Sequence, residues 1–115
     1  MNLSQLQYFK VLAQEEHYTR AAQMLSITQP SLSHAISQLE QELGTRLFEK
    51  KGRNVVLTRY GKMFLPYVGE SLKVLNEGVQ RIQEVNGSRH GIIHLAYIYT
   101  MGSEFAPKLV RKFLN

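Results

Sequence analysis

Between Leu25 and Leu32 the helical pattern of this sequence breaks and restarts within a handful of residues, and few folds accommodate so abrupt a change of direction. The segment Tyr18 to Leu25 carries Ala21, Ala22, Met24 and Leu25, which describes a short packing helix whose small residues let a neighbour approach closely. Ser26-Ile27-Thr28-Gln29-Pro30 ends it. Thr28 is suited to cap a new helix, and Pro30 is tolerated in a first turn, where its missing N–H would be unpaired anyway. In that helix Leu32, Ile36, Leu39 and Leu43 advance by four, three and four, which places them on one buried face, and Gly44 is a natural stop. Before the pair, Leu3, Leu6, Phe9, Val11, Leu12 and Ala13 predict a further packing helix. A short helix, a tight turn and a longer helix make a helix-turn-helix over about residues 18–37.

The face of the third helix turned away from the core shows Gln29, Ser33, His34 and Ser37, all short or planar polar groups; Glu40 and Glu42 come only later. A helix entering the major groove of DNA by its N-terminal end needs this arrangement, with hydrogen-bonding groups at the tip and carboxylates kept away from phosphate. An ordinary amphipathic surface helix is the plainer alternative. Next, Leu47 and Phe48, then Glu49-Lys50-Lys51-Gly52-Arg53-Asn54, then Val55-Val56-Leu57 predict two short strands around a basic turn, a wing with Arg53 near its tip. Arg46, Lys50, Lys51, Arg53, Arg59 and Lys62 face only Glu49, so this stretch has a net charge of +5, equal to the formal charge of the whole chain. Such a cluster neutralises phosphates and releases counterions, although a short basic run is also what a solvated surface looks like.

From Thr58, a helix cap, Phe64, Val68, Leu72, Leu75, Val79 and Ile82 step by four, four, three, four and three along a long helix. So small a domain cannot bury that seam alone, and pairing with a second copy is the expected solution. Pro66 removes one backbone hydrogen bond and predicts a kink. Asn86-Gly87-Ser88 is a turn signal, followed by a buried-strand pattern at Ile92, Ile93, Leu95, Ala96 and Ile98 and a closing helix with Phe105, Leu109, Val110 and Phe113. One strand and one helix do not make a core, so the sequence reads as ending just inside a second, α/β-type domain. The expected architecture is mainly α: a winged helix-turn-helix over 1–58, a linker and dimerisation helix over 59–87, and over 88–115 the first strand and helix of a truncated α/β domain.

Composition narrows the function classes. With 43% hydrophobic and 20% charged residues the chain suits a folded soluble protein, and no apolar run approaches the roughly 20 residues that span a bilayer. The start, MNLSQLQYFK, lacks a basic segment followed by an apolar stretch, and there are no cysteines, so a cytoplasmic setting without disulfide chemistry is expected. No enzymatic constellation assembles. His90 and His94 fall across Gly91 at a strand entrance, where alternation does not aim them together as a helical pair; Gly52 and Gly61-Lys62 lie too far apart for a phosphate loop; no serine has a base partner. Neither a metal nor a cofactor is expected. Two non-enzymatic rivals remain: a sequence-tolerant architectural DNA-binding dimer, and an interaction module using the long helix, which leaves the basic wing unexplained.

The residues also carry a family resemblance. Phe9 in the first helix, Thr19-Arg20-Ala21-Ala22 in the second, Thr28-Gln29-Pro30-Ser31-Leu32-Ser33 opening the third, Leu39-Glu40 and Leu43-Gly44 closing it, then Leu47-Phe48, Arg53, Leu57-Thr58 and Gly61, together resemble a LysR-type transcriptional regulator. The resemblance runs from Leu3 through the linker helix and more loosely to the end. It implies sequence-specific binding of double-stranded DNA, a homodimer that forms tetramers in many members, and an effector domain built like a periplasmic binding protein. Carried over by position, it implies that Gln29, Pro30, Ser33 and His34 face the major groove, joined on that face by Ser37, that Thr19 and Thr28 lie near phosphates, and that Arg53 serves the wing. Thr100 matches a position that touches a small-molecule effector, and it is equally placed to cap a helix. His34 stands where the family often has arginine, exchanging a guanine-reading fork for a weaker donor or acceptor. His17 stands where a small hydroxyl residue often caps the second helix, and Lys50 replaces a frequent arginine.

Overall fold

The computed structural model describes residues 1–87. The strand expected at Ile92 to Ile98, the helix carrying Phe105 to Phe113, Thr100 and the pair His90 and His94 lie outside the described residues. The order is α1 (Leu3–Glu15), α2 (Tyr18–Leu25), α3 (Gln29–Leu43), β1 (Phe48–Lys51), β2 (Asn54–Leu57) and α4 (Arg59–Asn86). The chain divides into two compact units, Met1–Val68 and one beginning at Gly69, so the first unit takes in the opening ten residues of α4.

Each turn is fixed by local chemistry. Asn2 and Gln5 form a reciprocal capping box at the start of α1, and Glu16 ends that helix in the left-handed region at φ 57°. His17 caps α2 through Nδ1, which accepts from the Arg20 N–H at 3.1 Å. An imidazole thus does the work of the hydroxyl that the family pattern would place there. Ser26 closes α2 at φ 58°, and Thr28 opens α3 by accepting from the Ser31 N–H at 3.2 Å. Gly44, at φ 73°, ends α3 as its sequence position predicts.

The core of the first unit is built on Phe9, Leu12, Ala21, Leu25, Leu32, Ile36 and Leu39, all buried, and is closed by Leu47 and Phe48 at the root of the hairpin. Phe9 is its hub: its ring meets Phe48 edge-on at 5.5 Å between centroids and Phe64 of α4 at 5.5 Å. Such aromatic pairs add about 0.5–1.5 kcal/mol each beyond their buried area. Three expectations from periodicity differ in the fold. Leu3, the first residue of α1, is 39% exposed, Met24, next to the last residue of α2, is 58% exposed, and Leu43, the last residue of α3, is 36% exposed, each standing at a helix end.

The strands are longer than the apolar pattern predicts, because Glu49, Lys50 and Lys51 belong to β1 although all three face solvent. They pair antiparallel in the register Phe48↔Leu57 to Lys51↔Asn54, which leaves a two-residue turn of Gly52 and Arg53. Gly52 takes φ 64° at the first turn position, the place where a type II′ hairpin turn calls for glycine. Thr58 caps α4 as its position predicts, accepting from the Gly61 N–H at 3.2 Å, and the helix continues without interruption through Pro66.

Candidate nucleic-acid interface

The residues singled out in the third helix occupy one surface. At 100° per residue, Gln29, Ser33, Ser37, Pro30 and His34 span an arc of roughly 140° that starts at Gln29 beside the Ile36 edge of the buried face and turns away from Leu32, Ile36 and Leu39 toward His34. Ser33 is half-buried and the other four are exposed. Among the described residues the side chains of Gln29, Ser33, His34 and Ser37 are in no hydrogen bond or ion pair with another residue, so their donors and acceptors face solvent. No acidic residue lies in this N-terminal half of the helix. Thr28 stands apart from this set. Its hydroxyl accepts from the Ser31 N–H and donates to Ser31 Oγ at 2.8 Å, so its proton is already committed to shaping the turn. Thr19 is exposed in the first turn of α2, beside the end capped by His17.

An open groove of about 540 Å³ runs along the same helix, lined by Tyr18, Ser33, Ser37, Glu40, Thr45 and Arg46 among others. The Tyr18 phenol there is held above its ordinary pKa, first by burial, then by the Glu40 carboxylate, with Arg46 acting in the opposite sense. It is therefore a neutral hydroxyl able to donate at physiological pH. Arg46 is 74% exposed and its Nε lies 3.5 Å from Glu40 Oε2.

On the hairpin, Lys50, Lys51 and Arg53 are exposed and take part in no ion pair within the described residues, and Arg53 occupies the tip beside Gly52. The α3 surface and the wing thus offer complementary chemistry, the first uncharged and directional, the second cationic. Among the described residues no group of three or more His, Cys, Asp or Glu side chains converges. No helix among them is long and apolar enough to cross a membrane.

The α4 residues named from the sequence fall into two sets. Phe64 and Val68 belong to the first unit, where the Phe64 ring packs on Phe9 and Val68 is fully buried. In the second unit Leu72 is buried and Val79 half-buried, whereas Leu75 and Ile82, with the unanticipated Val85, are 46%, 64% and 74% exposed.

Three groups that hold the hairpin escaped sequence reasoning. Glu40 Oε2 accepts from the backbone N–H of Leu47 at 2.7 Å and of Phe48 at 3.2 Å. Thr58, beyond its capping role, donates to the Arg46 carbonyl at 2.6 Å, and the Thr58 N–H donates to the Leu47 carbonyl at 2.9 Å. The Glu16 carbonyl, at the α1–α2 corner, accepts from the Val55 N–H at 3.0 Å. One signal was present for Glu40: a carboxylate close to the C-terminal end of a helix opposes the helix dipole and so calls for compensating donors.

A two-stranded hairpin fixed to a helix-turn-helix, with an uncharged polar face on the longer helix and a cationic tip, defines a winged helix-turn-helix of the DNA-binding class. The family model for the bacterial regulatory helix-turn-helix proteins of the LysR family matches residues 3–62, and the chain belongs to that family. It is 41% identical over 113 residues to the uncharacterized HTH-type transcriptional regulator YybE of Bacillus subtilis, covering 98% of this chain and 39% of that protein. It is 35% identical over 113 residues to the HTH-type transcriptional regulator AlsR of the same organism, covering 98% of this chain and 37% of that protein. The chain therefore spans well under half the length of these curated relatives. Among solved structures, the DNA-binding domain of BenM in complex with catB site 1 DNA superposes with a TM-score of 0.73 at 35% identity, over 77% of this chain and 100% of that one.

Proposed function

We propose that this chain binds double-stranded DNA sequence-selectively as a homodimer and regulates transcription, with the N-terminal half of α3 in the major groove and the wing on the adjacent backbone or minor groove. The observation that carries this reading is the polar arc of α3, Gln29, Ser33, His34 and Ser37, beside cations at Lys50, Lys51 and Arg53, all without partners among the described residues. Base edges are read by directional hydrogen bonds and phosphates by charge, and the two surfaces divide along that line. The solved BenM complex with DNA supports the same reading by likeness.

Dimer contacts fall to the exposed apolar residues of α4 in the second unit, Leu75 and Ile82 with Val85, with Val79 at their margin. Phe64 and Val68 contribute by seating the start of the helix on its own domain. With two copies related by symmetry, the two recognition helices address half-sites about one helical turn of DNA, or a multiple of it, apart. Where a complete effector domain follows, it would bind a small molecule, with Thr100 as a contact, and would support higher assembly.

The test is fluorescence anisotropy on a duplex selected from genomic DNA by binding, against a scrambled duplex of equal length, across a salt series. The expected result is a preference for the selected duplex of at least about a thousandfold. Gln29→Ala should weaken the selected duplex by about 1–3 kcal/mol and leave the scrambled one unaffected. Arg53→Ala should weaken both and flatten the salt slope by about one unit. Equal affinity for the two duplexes would replace this reading with the architectural one, and no binding by a verified dimer would refute both.

A further inference from the structure

We infer that Glu40 is a positioning residue for DNA binding: it ties the root of the wing to the recognition helix, so that the contact made by Arg53 depends on a carboxylate remote from it in sequence. The inference rests on the proposed roles of α3 and the wing.

Glu40 lies on α3 one turn before its end, with its side chain only 14% exposed. A single oxygen, Oε2, receives the N–H groups of Leu47 and Phe48, which are the last residue before β1 and its first residue. Both donors belong to residues that are almost fully buried, at 1% and 2% exposure, so water is a poor substitute for the carboxylate. The third neighbour, Arg46, is largely exposed and adds little by its charge. On its other side the root is held by Thr58, through the carbonyls of Arg46 and Leu47. A third tie, from the Val55 N–H to the Glu16 carbonyl, holds β2 to the α1–α2 corner, and the three differ in what they join. Thr58 ties the hairpin to α4, whereas Glu40 is the side chain that ties it to the helix carrying Gln29, Ser33 and His34.

Leverage makes this matter. From Phe48 to the turn at Arg53 the strand rises about 16 Å at ~3.3 Å per residue, and without Glu40 the backbone bond from the Val55 N–H to the Glu16 carbonyl still holds β2, so a tilt of about 10° at the root must stretch that bond to move the tip by roughly 3 Å, the length of a hydrogen bond. Removing the acceptor leaves two buried N–H groups unpaired, and the root can satisfy them only by turning toward water. Arg53 then no longer sits at a fixed distance from the phosphate it serves while α3 lies in the groove.

The experiment has two arms on the whole 115-residue chain. In the first, duplex binding is measured for Glu40→Ala, Arg53→Ala and the double variant across salt. Glu40→Ala should flatten the salt slope by about one unit, as Arg53→Ala does. The double variant should bind within about twofold of either single one, because both remove the same contact. Glu40→Gln keeps an acceptor oxygen and should bind within about threefold of the wild type, which separates positioning from a plain effect of charge. Losses that multiply in the double variant, or an unchanged slope in a folded Glu40→Ala, would overturn the inference. The second arm uses the free protein: 15N relaxation should give order parameters near 0.85 at Lys50 to Asn54 in the wild type and below about 0.6 in Glu40→Ala, with α1 and α2 unchanged. A wing as rigid in Glu40→Ala as in the wild type overturns the tether whatever DNA binding shows. Loss of wing order in a protein whose wild type binds no duplex instead refutes the proposed function and upholds the tether.

Discussion

Gly61 offers the sharpest test of how the wing is seated, because its neighbours, not its own backbone, forbid a side chain. A Cβ built there would lie 2.3 Å from the Leu47 carbonyl oxygen and 2.7 Å from Leu57 Cδ2. The leucine methyl can swing aside. The carbonyl cannot, because it accepts from the Thr58 N–H at 2.9 Å while the Leu47 N–H donates to Glu40. Gly61→Ala therefore sets a gain in helix propensity of up to ~1 kcal/mol against an overpacking cost of about 1–3 kcal/mol plus a strained root hydrogen bond. A net loss of about 1–2 kcal/mol follows, a fall in Tm of roughly 5–15 °C for a domain of this size. Gly69, in the same helix, is the internal control. Among the described residues nothing lies within 4 Å of its Cβ position, so Gly69→Ala should raise stability by about 0.5–1 kcal/mol. Thermal melts followed by circular dichroism at one protomer concentration give both signs. A Gly61→Ala protein that melts at or above the wild type would refute the close approach, and with it the way in which α4 is seated against the hairpin.

His17→Ala should cost about 1 kcal/mol in urea denaturation by removing the α2 cap, whereas His17→Asn, another good cap, should restore it; equal losses would deny the imidazole its role. Tyr18 should form its phenolate above the ordinary value of 10.0 in an absorbance titration, and Glu40→Gln should lower that midpoint by removing the second cause of the shift while burial remains. Because folding raises this pKa, the contribution of Tyr18 to stability is complete below pH 10 and is lost as pH climbs through the folded value. Ile82→Glu should shift sedimentation toward monomer and Phe64→Ala should mainly lower Tm, since Ile82 is 64% exposed and Phe64 packs on Phe9. The opposite pattern would reverse the division of α4 proposed above.

What the sequence made legible was set by short-range chemistry. Thr28, Pro30 and Gly44 bracket α3 because caps and breakers act within one turn, and the step of Leu32, Ile36 and Leu39 gives the buried face directly. The polar recognition arc follows from the same periodicity, read from the other side. Periodicity does not say where a neighbour ends, so Leu43 and Met24 match the apolar pattern and still lie in solvent. Nor does it say which neighbour an apolar face meets. Phe64 and Ile82 lie on one seam, yet Phe64 meets Phe9 of its own domain while Ile82 meets solvent. The cationic part of β1 was hidden because Glu49, Lys50 and Lys51 all face outward and leave no alternation to detect. Glu40 was hidden for another reason: its partners are backbone N–H groups, which every residue but proline carries and no side-chain pattern marks.

The same contacts separate structural polar residues from those available to a ligand, although residue type alone does not. The four helices of the described residues each open on a polar side chain that accepts from the backbone N–H three residues on: Asn2 from Gln5, His17 from Arg20, Thr28 from Ser31 and Thr58 from Gly61. At that offset a hydroxyl, amide or imidazole is already used by the fold, and Thr28, though exposed at the tip of the recognition helix, has in addition given its proton to Ser31. One residue further, at Gln29, and onward along the same arc, the side chains have no partner among the described residues. Any energy they gain from DNA is therefore not offset by a bond broken in the free protein, whereas a phosphate contact by the Thr28 hydroxyl would first have to take the proton that holds the turn. Substitutions at Gln29, Ser33 and His34 should accordingly change which duplex is bound with little change in melting temperature, and Thr28→Val should lower the melting temperature before it alters any preference among duplexes.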